Sequence, residues 1–178
     1  MNLHQEAHKA VESSVTEALF LLMSEKPFEQ ITVSELIRRA GVARSTYYRN
    51  YSSMREIIVR LIDSVFDAFM REFPGTTLAD RTRKDYIWHV FHYVEKYSQL
   101  LSTLRNAGLS AIYLEEFNRH LLRLAGPDVT QRQIQSIYAI AGAEFNMIFY
   151  MYLDSHPAFS RERMQAQMEA FYAQEGLL

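Results

Sequence analysis

Apolar side chains recur every three or four residues along almost the whole chain, and this period constrains the fold more than any other feature. An early example is the set Val11, Val15, Ala18, Leu19 and Leu22, which would lie on one buried face of an α-helix. No segment alternates apolar and polar residues as a half-buried strand does. The sequence therefore predicts an all-α protein.

Residues that begin or end helices divide this pattern into about nine helices. Thr32 with Glu35, and Ser53 with Glu56, have the spacing of capping boxes, and Thr130 is expected to cap a later helix. The predicted helices span about 3–24, 33–40, 44–51, 54–73, 81–96, 99–107, 110–125, 131–153 and 160–174.

Basic residues are concentrated in one short part of the chain. The net charge of the whole sequence is −2, yet residues 38–60 hold six arginines against one acid, Glu56. Residues 61–178 carry 11 basic and 14 acidic groups. A basic patch on an acidic body favours a module that contacts phosphates, although a solvated charged face would have the same composition.

The basic part also has the pattern of a helix-turn-helix, because two short helices, 33–40 and 44–51, are joined by a turn that begins with Gly41. Tyr47 and Tyr51 lie four residues apart and are expected to pack inward. The outward set is rich in guanidinium, amide and hydroxyl groups, which bind phosphates and base edges. This set comprises Arg44, Ser45, Thr46, Tyr48, Arg49 and Asn50.

Three segments resemble the N-terminal DNA-binding domain of the TetR family of regulators: Phe28 to Val33, Ile37 to Val42, and Ser45 to Tyr51. The resemblance covers residues 5–60. It implies contacts with double-stranded operator DNA from Thr32, Arg44, Ser45, Thr46, Tyr48, Arg49, Asn50 and Arg55.

The chain departs from the family pattern at two positions. Ala43 stands where the family usually has a serine or threonine that caps the recognition helix, at a cost of about 1 kcal/mol. Met54 replaces a lysine that commonly lies near phosphate, and Arg55 is expected to compensate from the next position.

The resemblance also implies a division of the chain: a helix-turn-helix domain at 1–53, a connecting helix at 54–74, and an effector-binding and dimerisation domain at 75–178. The last region is rich in aromatic residues, which either fill a core or line a pocket for a small hydrophobic effector. The residues expected to line it are Trp88, Phe91, His92, Phe117, Phe145 and Phe149.

Helices 131–153 and 160–174 carry apolar faces that predict a two-fold, four-helix homodimer interface, with Ile148 and Tyr152 in it.

Several other functions find no support in the sequence. There is no cysteine, which excludes disulfides and thiolate chemistry. No nucleophile motif, phosphate-binding glycine loop or pair of catalytic carboxylates is present, so neither an enzyme nor a cofactor is expected. His89 and His92 have a spacing that metal sites use, but ordinary histidines are favoured. Without a membrane span or signal peptide, a cytoplasmic protein is expected.

Three functions remain open. The chain is expected to be a transcriptional repressor that a small hydrophobic effector releases from its operator. A co-activator of the same fold that acts through protein partners is the alternative. A helical enzyme or carrier is disfavoured, because the catalytic constellation is missing.

Overall fold

The computed structural model describes the backbone of residues 3–74, 77, 84–153 and 160–173, and in these ranges it is helical without strands. The predicted all-α fold is confirmed. We label the nine α-helices α1 (Leu3–Glu25), α2 (Val33–Ala40), α3 (Arg44–Asn50), α4 (Met54–Glu72), α5 (Lys84–Lys96), α6 (Ser98–Asn106), α7 (Ser110–Ala125), α8 (Gln131–Asn146) and α9 (Arg161–Tyr172). No described helix combines the length and apolarity needed to cross a membrane.

The ends of α2 follow the sequence prediction. The Thr32 hydroxyl accepts a hydrogen bond from the Glu35 amide at 3.2 Å, and the Glu35 carboxylate accepts from the Thr32 amide at 2.9 Å, so the capping box is complete. Gly41 ends the helix with φ 66°, in the left-handed region that favours glycine. α3 then begins at Arg44, and Ala43 before it provides no side-chain cap.

The capping box predicted at the start of α4 is only half formed. Ser53 accepts from the Glu56 amide at 3.2 Å, as expected. The Glu56 carboxylate instead accepts from the amide and the hydroxyl of Ser52, at 2.8 and 2.6 Å. The capping box pattern assigns the donor to the Glu56 carboxylate to the backbone amide of Ser53. Ser52 donates instead, because it offers two donors, its amide and its hydroxyl, rather than one.

The helix predicted over 131–153 changes its geometry near its end. α8 is α-helical to Asn146, and Met147–Tyr152 continue it as a π-helix. A bond of the π-helical spacing, from the Leu153 amide to the Ile148 carbonyl at 3.0 Å, closes this segment. Sequence periodicity could not separate the two helix types, because both are apolar and continuous here.

Helix α4 connects the two ends of the hydrophobic core. Its first turns bury Ile57 and Ile58, which join the core of α1 to α3. Its last turns bury Phe66 and Phe69, which pack against α5 and α7. Helix α4 therefore contributes buried side chains to both ends of this core.

A second junction lies at the corner between α6 and α7. The Phe28 amide, in the turn before α2, donates to the Ala107 carbonyl at 3.2 Å. The side chain of Arg55 in α4 forms an ion pair with Glu115 in α7. The turn that precedes the helix-turn-helix and the first turn of α4 are thus both attached to this corner.

Candidate DNA-binding surface and internal cavity

Two tyrosines fix the orientation of α3. Tyr47 is fully buried and Tyr51 nearly so, as predicted, and their ring centroids lie 5.8 Å apart. Burial raises the pKa of Tyr47, whose hydroxyl has no hydrogen-bond partner among the described residues. Because these rings face the core, the opposite face of α3 is turned to solvent.

The solvent face of α3 carries the side chains that the sequence predicts as DNA contacts. Arg44, Ser45, Tyr48 and Arg49 are exposed. Arg44 Nη2 lies 3.2 Å from the Tyr48 hydroxyl, and the guanidinium lies over the Tyr48 ring at 5.4 Å. This face therefore presents a cation and a phenol that are already in contact.

Three of the predicted contact residues already bond to their own surroundings. Thr46 and Asn50 are half-buried, and the Asn50 amide nitrogen donates to the Thr46 carbonyl at 2.6 Å. Thr32 is exposed, but its hydroxyl accepts from the Glu35 amide and donates to the Glu35 carboxylate at 2.9 Å. A contact with DNA from Thr32 or Asn50 would share or replace these bonds.

Half of the arginines in the basic segment have carboxylate partners. Arg39 pairs with Glu25 at 2.7 Å, and Arg60 pairs with Glu56. Arg55, expected to contact phosphate, pairs instead with Glu115. This carboxylate partly neutralises the charge that Arg55 would offer to a phosphate.

The other three arginines of the basic segment have no carboxylate partner among the described residues. For Arg38, Arg44 and Arg49 the described part of the chain provides no carboxylate within ion-pair distance. All three are exposed and lie on α2 or α3. The uncompensated positive charge is thus concentrated on the helix-turn-helix itself, which is where a polyanion would bind most strongly.

An apolar cavity of about 70 Å³ lies between α4, α5 and α7. This volume is far below the roughly 300 to 1,000 Å³ of typical small-molecule pockets. Its polar side chains include Glu144 and His120, both buried. The lining consists of Val65, Phe66, Phe69, Tyr86, Val90, Tyr93, Val94, Tyr97, Leu101, Tyr113, Phe117, His120, Leu124, Glu144 and Ile148.

The residues expected to line an effector pocket are only partly brought together here. Phe117 lines the cavity. Phe145 and Phe149 stack on each other at 4.7 Å behind Tyr113 and do not reach it, and Phe91 is buried away from it. Trp88 and His92 lie on the outer face of α5, where Trp88 is 49% exposed. The expectation for these two residues is therefore corrected.

Helical spacing could have identified the correct face of α5. Tyr86, Val90, Tyr93 and Tyr97 follow one another at intervals of three and four residues, and all line the cavity. Trp88 and His92 share the opposite face. Counting aromatic residues without regard to the helical face led to the wrong choice.

The expected dimer interface also needs one correction. Ile148 lines the cavity instead of facing outward, and the side chain of Tyr152 lies outside the described residues. The exposed face of α8 carries Tyr138 and Ala139, with Tyr150 exposed in the π-helical segment. The exposed residues of α9 include Ala166, Gln167 and Ala170.

The two histidines that could suggest a metal do not converge on a ligand set. The ring of His89 stacks on that of Phe73, with centroids 3.9 Å apart, while His92 is exposed. Across the described ranges no three His, Cys, Asp or Glu side chains are grouped as a metal site would require.

Comparison with known proteins gives matches at two scales. The family described as "Bacterial regulatory proteins, tetR family" matches residues 15–61. An uncharacterized HTH-type transcriptional regulator of Mycobacterium bovis is 39% identical over 46 residues, which is 26% of this chain and 24% of that relative. The family match covers the helix-turn-helix and parts of the helices on either side of it.

Structural similarity extends over nearly the whole chain. A TetR transcriptional regulator from Streptococcus agalactiae 2603V superposes with a TM-score of 0.70 and 17% identity, over 95% of this chain and 97% of that one. A TetR transcriptional regulator from Rhodococcus sp. RHA1 has a TM-score of 0.57 and 16% identity, over 91% and 93%. At these identities the likeness concerns the fold.

Proposed function

We propose that the chain is a member of the TetR family of bacterial transcriptional regulators, whose family model matches residues 15–61, and that it works as a homodimeric DNA-binding repressor that a small hydrophobic effector releases from its operator. The observation that carries the DNA-binding part is the charge of the helix-turn-helix. Arg38, Arg44 and Arg49 have no carboxylate partner in the described chain, whereas Arg39, Arg55 and Arg60 have one.

The recognition helix of this proposal is α3, placed in the major groove. Arg44 and Tyr48 would reach base edges from its exposed face, and Arg49 would bind the phosphate backbone. Thr32, Ser45, Thr46 and Asn50 are assigned supporting contacts. Arg55 is assigned a phosphate contact that its ion pair with Glu115 weakens.

Binding to DNA would require two copies. A symmetric dimer places its recognition helices roughly 34 to 36 Å apart, one DNA turn. We assign the dimer interface to the outer faces of α8 and α9, where Tyr138 and Ala139 are exposed on α8 and Ala170 is exposed on α9. Exposed tyrosine and alanine side chains suit close packing of helices.

The effector would act by widening the cavity. A volume of about 70 Å³ holds a few water molecules but no drug-sized ligand, so a ligand must push the lining helices apart. Val65, Phe66 and Phe69 place α4 in that lining, and α4 leads directly to the helix-turn-helix. A coupling free energy of about 1 to 3 kcal/mol would change operator affinity about 5- to 150-fold.

Selection of DNA from a library of random duplexes tests the DNA-binding part. The purified dimer should enrich a sequence with two-fold symmetry, and Arg44→Ala should lose preference at one base pair of each half-site. If the folded dimer enriches no sequence, the repressor proposal fails and a co-activator that acts through protein partners is favoured.

Sedimentation tests the dimer interface. Tyr138→Asp would place a charge at the centre of the assigned interface and should give a folded monomer with weakened operator binding. Ser64→Asp, an exposed change on α4, is the matched control and should stay dimeric. A folded Tyr138→Asp protein that sediments as a dimer rules out this interface.

Filling the cavity tests the effector part. Val90 lines it from α5, so Val90→Phe should leave operator binding intact while it abolishes release by any hydrophobic ligand that acts on the wild type. Leu21→Phe, on an exposed position of α1, is the control. Release of the Val90→Phe protein at wild-type ligand concentrations would place the effector elsewhere.

A further inference from the structure

We infer that Ser34 is a positioning residue for the guanidinium of Arg44, and that it sharpens base discrimination without touching a base. The inference rests on the proposed DNA-binding function and deepens it. Ser34 lies in the first turn of α2, outside the recognition helix, and the sequence pattern did not single it out.

The position of Arg44 is unfavourable for helix stability. It is the first residue of α3, where the positive end of the helix dipole repels a cation. Ala43 before it provides no side-chain cap. Because neither residue stabilises the start of α3, the arginine is better explained by recognition than by folding.

Contacts from two different helices hold the guanidinium. Arg44 Nη2 bonds to the Tyr48 hydroxyl at 3.2 Å, and Arg44 Nη1 lies 3.5 Å from Ser34 Oγ. The first contact comes from α3 and the second from α2. Two separate nitrogens held from two directions restrict rotation of the planar group, which a single contact would not do.

Tyr48, which holds Arg44 from within α3, packs against a residue of the hydrophobic core. The ring of Tyr48 packs edge to face on that of Tyr47, at 5.1 Å and 83°, and Tyr47 is fully buried. Ser34 is attached through the backbone of α2, whose N-terminus is closed by the capping box of Thr32 and Glu35. Both supports of Arg44 thus rest on ordered parts of the domain.

Arg49 provides the contrast within the same helix. It is exposed, and none of the hydrogen bonds, ion pairs or ring contacts of the described chain involves its side chain. A guanidinium that is held in advance loses less conformational entropy when it forms two hydrogen bonds to guanine. Arg44 is therefore suited to base recognition, and Arg49 to phosphate.

A double-mutant cycle tests the inference on the operator selected by the wild-type protein. Ser34→Ala should reduce discrimination at the base pair read by Arg44 by roughly 2- to 10-fold, the value of one hydrogen bond. In the Arg44→Ala background it should have no effect. Ser34→Thr keeps the hydroxyl and should restore discrimination, while Ser64→Ala is the control on α4.

Ser34→Ala should not destabilise α2, because alanine has a higher helix propensity than serine. A loss of discrimination would therefore report on positioning rather than on folding. The dependence of affinity on salt should stay unchanged, since no phosphate contact is lost. An equal loss in the presence and in the absence of Arg44, or a uniform loss on all sequences with a reduced salt slope, overturns the inference.

A measurement on the free protein separates this inference from the DNA-binding proposal. The ¹⁵N relaxation of the arginine side chains should show Arg44 more ordered than Arg49 in the wild type, and equally mobile in Ser34→Ala. If Arg44 is as mobile as Arg49 in the wild type, Ser34 does not position it, whether or not the protein binds DNA. Failure of DNA selection with an ordered Arg44 would count against the proposed function alone.

Discussion

The helices α1 to α3 and the helices α5 to α9 place their ionisable groups in opposite ways. In the first part, Glu35 is at a helix terminus, and its pKa is lowered to about 2, first by the hydrogen bond from Lys26 and then by Thr32. In the second part, Glu116 is fully buried in α7, and desolvation raises its pKa although Arg119 contacts it. The small module uses the Glu35 carboxylate to cap the start of a helix, whereas the larger bundle buries the carboxylates of Glu116 and Glu144.

The two parts also differ in how their aromatic residues are used. In α3, Tyr47 and Tyr51 anchor a helix of only two turns whose other side chains face solvent. In the bundle, rings pack in series from Phe66 through Tyr113 to Phe149, around a cavity. The aromatic residues of α3 thus orient a surface, whereas those of the bundle form the lining of an interior cavity.

The largest expected effect comes from removing the anchor of α3. Tyr47→Ala should cost about 3 to 5 kcal/mol, the usual result of emptying a buried aromatic site, and should disorder α2 and α3 while the aromatic bundle stays folded. NMR spectra would report the two parts separately. Tyr47→Phe removes only a hydroxyl that has no hydrogen-bond partner, so it should be neutral or stabilising. Simultaneous unfolding of both parts would contradict their independence.

The charge of the exposed arginines gives the next largest effect. Arg49→Ala should weaken binding to all operators by about 1.5 to 3 kcal/mol, the value of a hydrogen bond to a charged group, and lower the salt slope by about one. Fluorescence anisotropy at several salt concentrations measures both. Arg39→Ala, whose charge is paired with Glu25, should change them much less. Equal losses of affinity in Arg49→Ala and Arg39→Ala would show that an ion pair does not reduce the contribution of an arginine to DNA binding.

The missing side-chain cap at Ala43 predicts a smaller effect, in which a substitution stabilises the helix-turn-helix. Ala43→Ser should add about 1 kcal/mol to the free energy of unfolding of the helix-turn-helix, because a serine hydroxyl would accept from the first turn of α3. Ala10→Ser, an exposed change within α1, should be slightly destabilising. Urea unfolding would reveal both signs. A destabilised Ala43→Ser protein would mean that the start of α3 cannot accommodate a cap.

Acid should affect the two parts differently. The pKa values of Glu35 and Glu56 are lowered from 4.5 to about 2, so their stabilising effect is present above pH 4.5 and is lost as the pH falls towards 2. The raised pKa of Glu116 has the opposite sign, because its protonation favours the folded state. Between pH 4.5 and 2, the NMR signals of Leu36 in α2 should therefore be lost before those of Leu121 in α7. Loss in the reverse order would contradict this.

A double substitution, Glu35→Gln with Glu56→Gln, is the control for the acid experiment. It removes both titrations and should abolish the difference in midpoint between the two parts. A difference that persists would have another origin.

The sequence predicted the helices well because their ends depend on local chemistry. Thr32, Gly41 and Thr130 each act within a few residues of their own position, and each has the predicted role. Ser52 is an informative exception, since it competes with Ser53 for the Glu56 carboxylate. Where two neighbours offer similar donors, the pattern alone does not determine which one bonds.

Contacts between segments that are distant in the sequence could not be predicted from local sequence patterns. The pairing of Arg55 with Glu115 joins residues 60 positions apart, and nothing near Arg55 predicts it. The inward direction of Ile148 and the outward direction of Trp88 also depend on how the helices rotate against one another. Recognition residues on α3 were easier to name, because Tyr47 and Tyr51 define the buried face and so the exposed one.

Under the proposed effector mechanism, the small size of the cavity would also limit how fast the protein responds. A ligand that does not fit into about 70 Å³ would bind only while the lining helices are apart, so its association rate should level off at high concentration. The limiting rate would then be the opening rate of the bundle. Response time would become a property of the protein, and a pulse of effector shorter than that opening time would leave the DNA occupied.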